Sequence, residues 1–198
     1  MKTTRAYTMG ARAQTVEDTK TRIREALFEL GLTTVFSQIS LEAVAQEAGV
    51  SVQTVLRHFG SRAALIESTI QYALDRVAEE RLAPEGDVDA ALTVLLDHYE
   101  LRGDTAMLLL SQEGTDEQVR RLTDHGRAMH REWVRDAFAS LVVDREDVLD
   151  LLVVATDVYT WKLLRRDRGH SRATTEKQMK ALVRAVLLHA RADEEKRD

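Results

Sequence analysis

The chain has 198 residues and a net charge of −5, and 44% of its residues are hydrophobic, enough to fold as one compact unit or as two small domains sharing a core. It contains no cysteine, which excludes disulfides and thiolate metal sites. No run of about eighteen apolar residues occurs, so we expect neither a signal peptide nor a membrane span, and we expect a cytoplasmic protein.

The N-terminal segment contains Lys2, Arg5 and Arg12 without a helical period. We expect a tail that is disordered in isolation and solvated; contact with a nucleic-acid groove or backbone is the alternative. The first helix is predicted to begin after Thr15, which together with Asp18 resembles a capping box, and to end at Gly31. Its predicted buried stripe consists of Ile23, Ala26, Leu27 and Leu30.

Two short helices separated by a tight turn are predicted over residues 40–62. Ser40 can cap the first of them, and Gly49 can end it because a residue without Cβ adopts the left-handed conformation without steric cost. Ser51 can cap the second helix. The residues expected to pack inside are Leu41, Val44, Ala45 and Ala48 in the first helix and Val55, Leu56 and Phe59 in the second. This pattern is typical of a helix-turn-helix.

The second helix would expose side chains that can bond to base edges or phosphates, namely Gln53, Thr54, Arg57 and His58. A further cap at Ser61 opens a longer helix with Arg62 in its first turn. Similar helix pairs also occur in proteins that never touch DNA, so the motif alone leaves both interpretations open. The predicted DNA-binding residues are Ser40, Ser51, Val52, Gln53, Thr54, Arg57, His58, Ser61 and Arg62.

Three stretches together extend this motif: T-x-I-x-x-A-L-x-E-L-G, S-L-E-x-V-A-x-x-A-G-V-S and T-V-L-R-H-F-G-S-R-A-A-L, between Thr21 and Ile66. They resemble the DNA-binding domain of the TetR family of bacterial one-component regulators. The resemblance implies an all-α fold of about nine helices, with a helix-turn-helix domain at residues 1–60 and a helical effector-binding and dimerisation domain at 61–198. Many family members have a phosphate-contacting tyrosine where this chain has Leu56, so phosphate contacts would depend more on Ser51, His58 and Arg62.

The charge is distributed unevenly along the chain. Residues 1–66 contain eight Lys or Arg and six Asp or Glu, a balance of +2, whereas the rest holds 20 basic and 27 acidic residues, a balance of −7. A mildly basic end on an acidic body favours binding of DNA by that end only.

The remainder is predicted to be helical throughout, without strands or repeats. A fourth helix is predicted from Ser61 to about Leu82, where Pro84, the only proline, ends it. This helix would join the helix-turn-helix domain to the rest of the chain. The later helices are predicted at Val88–Leu101, Thr105–Gln112, Asp116–Leu141, Arg145–Arg166 and Thr175–Ala192.

The last two predicted helices carry wide apolar stripes, which indicate a second subunit packed against them. Two helices from each chain would form a four-helix interface of a homodimer, as the resemblance also implies. The alternative is that both stripes are buried inside one monomer. The predicted dimer interface is Leu151, Val154, Val158, Leu182, Val183, Val186 and Leu187.

The middle helices are where the resemblance implies an effector pocket. Asp157, one turn before Trp161 on the same helical face, could meet a cationic or hydroxylated effector, pair with an arginine, or bond across the dimer. Side chains of these types belong to the core more often than to a pocket. The predicted effector-binding residues are Tyr99, Met107, Leu110, Met129, Trp133, Asp157 and Trp161, with Phe138 as a further large side chain in this region.

Catalysis is not expected. His125 and His130 are five residues apart and do not converge on a metal as an i, i+4 pair would, and no phosphate-binding loop or nucleophile elbow is present. We expect no cofactor and no metal. The sequence predicts a homodimeric, ligand-responsive repressor released from a palindromic operator in double-stranded DNA by a small-molecule effector. The alternative is a helical adaptor or a regulator that responds to a protein partner.

Overall fold

The computed structural model describes residues 4–83, 86–142 and 144–194, with side chains from residue 14 onward except those of residues 140, 193 and 194. No strand occurs in these ranges, and the fold is all-α as predicted. The helices are α1 Thr4–Gly31, α2 Leu41–Glu47, α3 Val52–Phe59, α4 Arg62–Glu80, α5 Val88–Gln112, α6 Glu117–Ala137, α7 Glu146–Thr156, α8 Val158–Lys162 and α9 Arg172–Glu194. The chain divides into two units, residues 1–75 and 76–198.

The first helix begins at Thr4, so the predicted start after Thr15 was wrong. The polar side chains there bond along the helix instead of capping it. Asp18 accepts a hydrogen bond from the Gln14 amide at 2.9 Å, and the Thr19 hydroxyl donates to the Thr15 carbonyl at 2.8 Å. The predicted tail residues Arg5 and Arg12 therefore belong to helical backbone, while Lys2 lies outside the described residues. In the predicted stripe Ile23, Ala26 and Leu27 are buried, and Leu30 is half-buried.

The helix-turn-helix residues form the predicted caps. Ser40 accepts a hydrogen bond from the Ala43 amide, Ser51 from Thr54 and Ser61 from Ala64, each at 3.1 Å. Gly49 has φ +65°, the left-handed conformation that ends α2. Each cap satisfies one of the amides in the first turn that have no partner within the helix, which matters most for α2 and α3 because they are only seven and eight residues long.

The second unit is a bundle in which α5 lies against α6, α8 and α9, and α7 against α6 and α9. Its core is built from large apolar side chains with almost no exposure, among them Leu92, Leu95, Leu96, Phe138, Leu149, Leu152, Trp161 and Met179. The helix α5 is continuous, so the predicted break at residues 102–104 was wrong. Gly103, in the middle of this stretch, lies inside the helix against the indole ring of Trp161.

The predicted helix Arg145–Arg166 is interrupted at Asp157, which has extended backbone with ψ 153°. Its carboxylate accepts a hydrogen bond from the Tyr159 amide at 2.8 Å and so caps α8. Asp157 is therefore not on one continuous helical face with Trp161, which corrects the predicted pairing. After α8 the chain forms a π-helical turn, Leu163–Asp167, a form found frequently at functional sites.

Candidate nucleic-acid interface

The outer face of α3 carries Gln53, Leu56 and Arg57, whose side chains are all exposed. Val55 beneath them is buried, with 1% exposure. Leu56 was expected to pack inside, but 40% of it is exposed, because it lies three residues after Gln53 on the same side of the helix. The exposed face thus combines an amide, a guanidinium and an isobutyl group.

The hydroxyl side chains around α3 are engaged locally. Ser51 Oγ lies 3.0 Å from Thr54 Oγ1 in addition to capping the helix. Val52, Thr54 and His58 are half-buried, while Ser40, Ser51 and Ser61 are exposed. Gln53 and Arg57 are therefore the predicted residues whose long polar side chains extend furthest from the helix-turn-helix.

Arg62 has a different position from the predicted phosphate contact. Its Nε and one Nη donate to the carbonyl of Ile39 at 3.3 and 3.2 Å, and the same Nη donates to the carbonyl of Phe36 at 3.2 Å. The guanidinium also lies over the Phe36 ring, 5.9 Å from its centroid. These contacts brace the segment just before α2, which orients the helix-turn-helix from within.

We expect Arg62→Ala to lower the free energy of unfolding by about 1–3 kcal/mol, because two backbone carbonyls lose their charged donor. The measurement is urea unfolding followed by circular dichroism. The matched control is Arg57→Ala, which removes an exposed guanidinium and should leave the unfolding midpoint unchanged. Equal urea midpoints for the two variants would show that the backbone contacts of Arg62 do not stabilise the fold.

Three of the predicted effector residues meet in the second unit. Tyr99 and Trp161 are fully buried, with ring centroids 5.9 Å apart, and the Tyr99 hydroxyl donates to the Thr156 carbonyl at 2.9 Å. Trp133 is half-buried, and its Nε1 donates to the carbonyl of Arg81 at 2.9 Å. These side chains surround a set of buried polar groups that sequence reasoning missed: Arg81, His98, His130 and Thr156.

The histidines of this set are neutral. Burial, reinforced by the charge of Arg81, lowers the pKa of His130 to about 3 and that of His98 to about 4. The Thr156 hydroxyl donates to the Leu152 carbonyl at 2.7 Å and lies 3.2 Å from His130 Nε2, so we assign the ring proton to Nε2. His130 Nδ1 then presents a lone pair, 3.5 Å from Arg81 Nη1.

His98 Nδ1 lies 3.0 Å from a Glu80 oxygen, and Arg102 donates to the same carboxylate at 2.9 Å. Burial opposes the charge of Glu80, but these donors prevail and hold its pKa below the usual range. Nothing in the sequence distinguished these residues from solvated polar side chains, because burial arises from the packing of distant helices.

The other predicted effector residues are not tied to this set. Met107, Leu110 and Met129 are half-buried on α5 and α6, and Phe138 is a core residue with 1% exposure. Burial raises the pKa of the half-buried Asp157. Asp157 caps α8, and no arginine forms an ion pair with it among the described residues.

The predicted dimer residues fall into three groups. Leu151, Val154 and Leu182 expose 46%, 65% and 45% of their side chains. Val158, Val186 and Leu187 are half-buried. Val183 has no exposure and belongs to the core of its own unit, so its assignment to the interface was wrong: its side of α9 faces the other helices of the bundle. Leu188, which was not predicted, is 65% exposed on the same helix.

Within the described ranges, no three histidine or acidic side chains are grouped so that they could hold a metal ion. Likewise, no described helix is sufficiently long and apolar to span a membrane.

Comparison with known proteins gives matches at two levels. Residues 35–69 match the model of the bacterial regulatory proteins of the tetR family. A transcriptional regulator from Rhodococcus sp. Rha1 has a similar fold over 86% of this chain and 96% of its own, with 17% identity and a TM-score of 0.66. A TetR-family regulator from Streptomyces coelicolor is similar over 87% and 89%, with 22% identity and a TM-score of 0.64. The curated proteins gave no match.

The fold likeness extends to a TetR transcription regulator from Haloarcula marismortui, over 85% of this chain and 98% of that one, with 20% identity and a TM-score of 0.56. The segment matched by the family model contains α2, α3 and the beginning of α4, where the capped helix-turn-helix lies. The chain therefore matches the tetR-family model over its helix-turn-helix segment, and over most of its length it shares the fold of solved transcriptional regulators.

Proposed function

We propose that the protein is a homodimeric repressor that binds a palindromic operator through α3 and is released by a small-molecule effector bound in the second unit. The observation that carries this proposal is the outer face of α3, where Gln53, Leu56 and Arg57 are exposed together on a helix capped by Ser51. A helix of this kind enters the major groove with its N-terminal residues toward the base edges.

The exposed side chains suit base recognition. An arginine such as Arg57 can donate bidentately to guanine O6 and N7, and a glutamine such as Gln53 can bond bidentately to adenine N6 and N7. Leu56 offers an apolar group to a thymine methyl instead of the phosphate-contacting hydroxyl of a tyrosine. The hydroxyls that cap the helices serve mainly to fix α2 and α3.

Dimerisation is supported by the exposed apolar side chains Leu151, Val154 and Leu182 on α7 and α9, two helices that pack together. Exposed residues of this kind on neighbouring helices form a self-complementary surface in a two-fold dimer. A two-fold dimer presents two recognition helices to successive major grooves, which explains selection of a palindrome.

We expect sedimentation of the wild type to give about twice 22.4 kDa at micromolar concentration. The double variant Val154→Glu, Leu182→Glu should sediment as a monomer with unchanged helical circular dichroism, since it places like charges in the interface. Leu101→Glu is the control, because Leu101 is 62% exposed on α5. A double variant that stays dimeric would exclude this surface.

Release by an effector would act through α4. This helix runs from Arg62 to Glu80 and contributes residues to both units. It begins two residues after Gly60, which ends the recognition helix α3. An effector that favours one position of α4 would change the separation of the two recognition helices by population shift. The buried set around Tyr99 and His130 supports a polar binding site close to the end of α4.

The experiment is selection of duplexes from a random pool by the full-length protein. The expected result is enrichment of a palindromic sequence whose half-sites are about one helical turn apart, with affinity that falls steeply as salt rises. An adaptor, or a regulator working only through protein contacts, would give no enriched sequence.

A further inference from the structure

Arg81 is a buried arginine that forms no ion pair with a carboxylate in the part of the chain that the structure describes. Only 8% of the residue is exposed, and it follows directly after Glu80, the last residue of α4. Its Nε is buried and has no hydrogen-bond partner in the described part of the chain. The guanidinium lies over the ring of Tyr99, 5.6 Å from the centroid, and Nη1 lies at a long 3.5 Å from His130 Nδ1.

The two carboxylates whose charges act on Arg81 are committed elsewhere. Glu80 is bound by Arg102 at 2.9 Å and by His98 at 3.0 Å. Asp157 accepts the Tyr159 amide at the start of α8. Among the described residues neither forms an ion pair with Arg81, although the charge of each raises the pKa of the guanidinium. Both neighbouring histidines are neutral, so the direct contacts of the guanidinium are an imidazole lone pair and an aromatic face, and the two carboxylates act on it only from a distance.

Such an arrangement is costly in a protein without a ligand. Burying an ion that has no counterion destabilises the folded state, because the lost hydration is not replaced. Several other arginines of this unit show the usual solution, since Arg165 is paired with Glu100, Arg166 with Asp104 and Arg172 with Asp97. Arg81 can therefore bind an anion that comes from outside the described part of the chain.

We propose that Arg81 binds the carboxylate of a small organic acid, with Nε and one Nη donating to its two oxygens. A carboxylate matches the planar fork of a guanidinium with two parallel hydrogen bonds. The neighbouring side chains define the rest of the ligand: Tyr99 and Trp133 are aromatic, and His130 stacks on Trp133 with ring centroids 6.1 Å apart. The ligand therefore carries an apolar or aromatic body next to its acidic group.

This inference rests on the proposed function in one respect, namely that the bound acid is the effector. Arg81 directly follows Glu80, the last residue of α4. A ligand bound by its guanidinium would therefore restrain the C-terminal end of this helix. The binding itself is measured without DNA, and its failure is therefore distinguishable from a failure of operator recognition.

The test is thermal unfolding of the full-length protein with benzoate, butyrate, benzamide, butyramide or inorganic phosphate at matched ionic strength. Benzoate or butyrate, at about ten times its Kd, should raise the Tm of the wild type by about 3–6 °C, and the amides should not. Arg81→Met should abolish this shift and, without ligand, melt above the wild type because the unpaired charge is gone. Arg81→Lys should weaken the shift by keeping the charge and losing the fork.

The control variant is Arg131→Met, which removes an arginine on α6 paired with Glu146 and Asp150 and should keep the carboxylate response. A wild-type Tm that neither carboxylate raises would overturn the proposal. An Arg81→Met variant that melts below the wild type and keeps the shift would make Arg81 a structural residue. Stabilisation by phosphate and not by carboxylates would overturn the ligand class.

Discussion

Gly103→Ala is expected to lower the free energy of unfolding by about 3 kcal/mol, at the upper end of what overpacking usually costs. A Cβ at this position would overlap three ring carbons of Trp161, which has no exposure and is held in the core. The clash cannot be relieved by rotating a flexible chain end, since the indole is rigid and its Nε1 donates to Glu100 at 3.1 Å. Either α5 or α8 has to shift.

The measurement is urea unfolding followed by circular dichroism, with Gly126→Ala as the matched control. Gly126 is also inside a helix, but no atom lies within 4 Å of its added Cβ, so alanine there should stabilise the protein by about 0.5–1 kcal/mol. The double variant Gly103→Ala, Trp161→Leu should lose less free energy of unfolding than the sum of the two single variants. Equal stability of the two alanine variants would show that Gly103 and Trp161 are not in contact.

Lowering the pH from 7.5 to 5 is expected to destabilise the protein through its two buried histidines. In the unfolded chain both take up protons around pH 6.5, whereas in the folded protein His98 has a pKa of about 4 and His130 of about 3. The unfolded state therefore binds more protons below pH 6.5, and stability falls as the pH falls. At pH 5 the loss is about 2 kcal/mol for each histidine.

The pH dependence is read from urea midpoints between pH 7.5 and 5, above the range in which carboxylates ordinarily titrate. His130→Gln should reduce the slope of stability against pH by about half, because only one of the two histidines that bind protons in the unfolded state alone then remains. His125→Gln, which changes an exposed side chain on α6, should leave the slope as it is. A flat wild-type profile would mean that the histidines are accessible to water.

The sequence predicted those parts of the fold that depend on local chemistry. The caps Ser40, Ser51 and Ser61 and the left-handed Gly49 act within a few residues of themselves, so their roles follow from the helix-turn-helix pattern. The all-α class follows from helical periodicity in the same way.

The errors arose where a distant contact decides the outcome. A helix break was predicted at residues 102–104, but Gly103 packs against Trp161, and this contact requires a residue without Cβ inside a continuous helix. Asp157 was read as a helix-face residue, although it caps α8. Arg62 was read as a phosphate contact, although its donors reach carbonyls more than twenty residues earlier in the chain.

The candidate site could be predicted only in part for the same reason. Gln53 and Arg57 follow from the recognition-helix pattern, whereas Leu56 is exposed because the turn of α3 places it beside them. Arg81 and His130 meet across 49 positions of sequence, a separation at which no periodicity or spacing rule applies.

The central claim is that α3 reads DNA through its exposed face, and the most direct measurement is the affinity for the selected palindromic duplex by fluorescence anisotropy. We predict that Gln53→Ala, Arg57→Ala together lower the affinity by at least about 100-fold, since each bidentate base contact contributes 1–3 kcal/mol. Helical circular dichroism should stay unchanged. Undiminished affinity of this double variant would contradict the account.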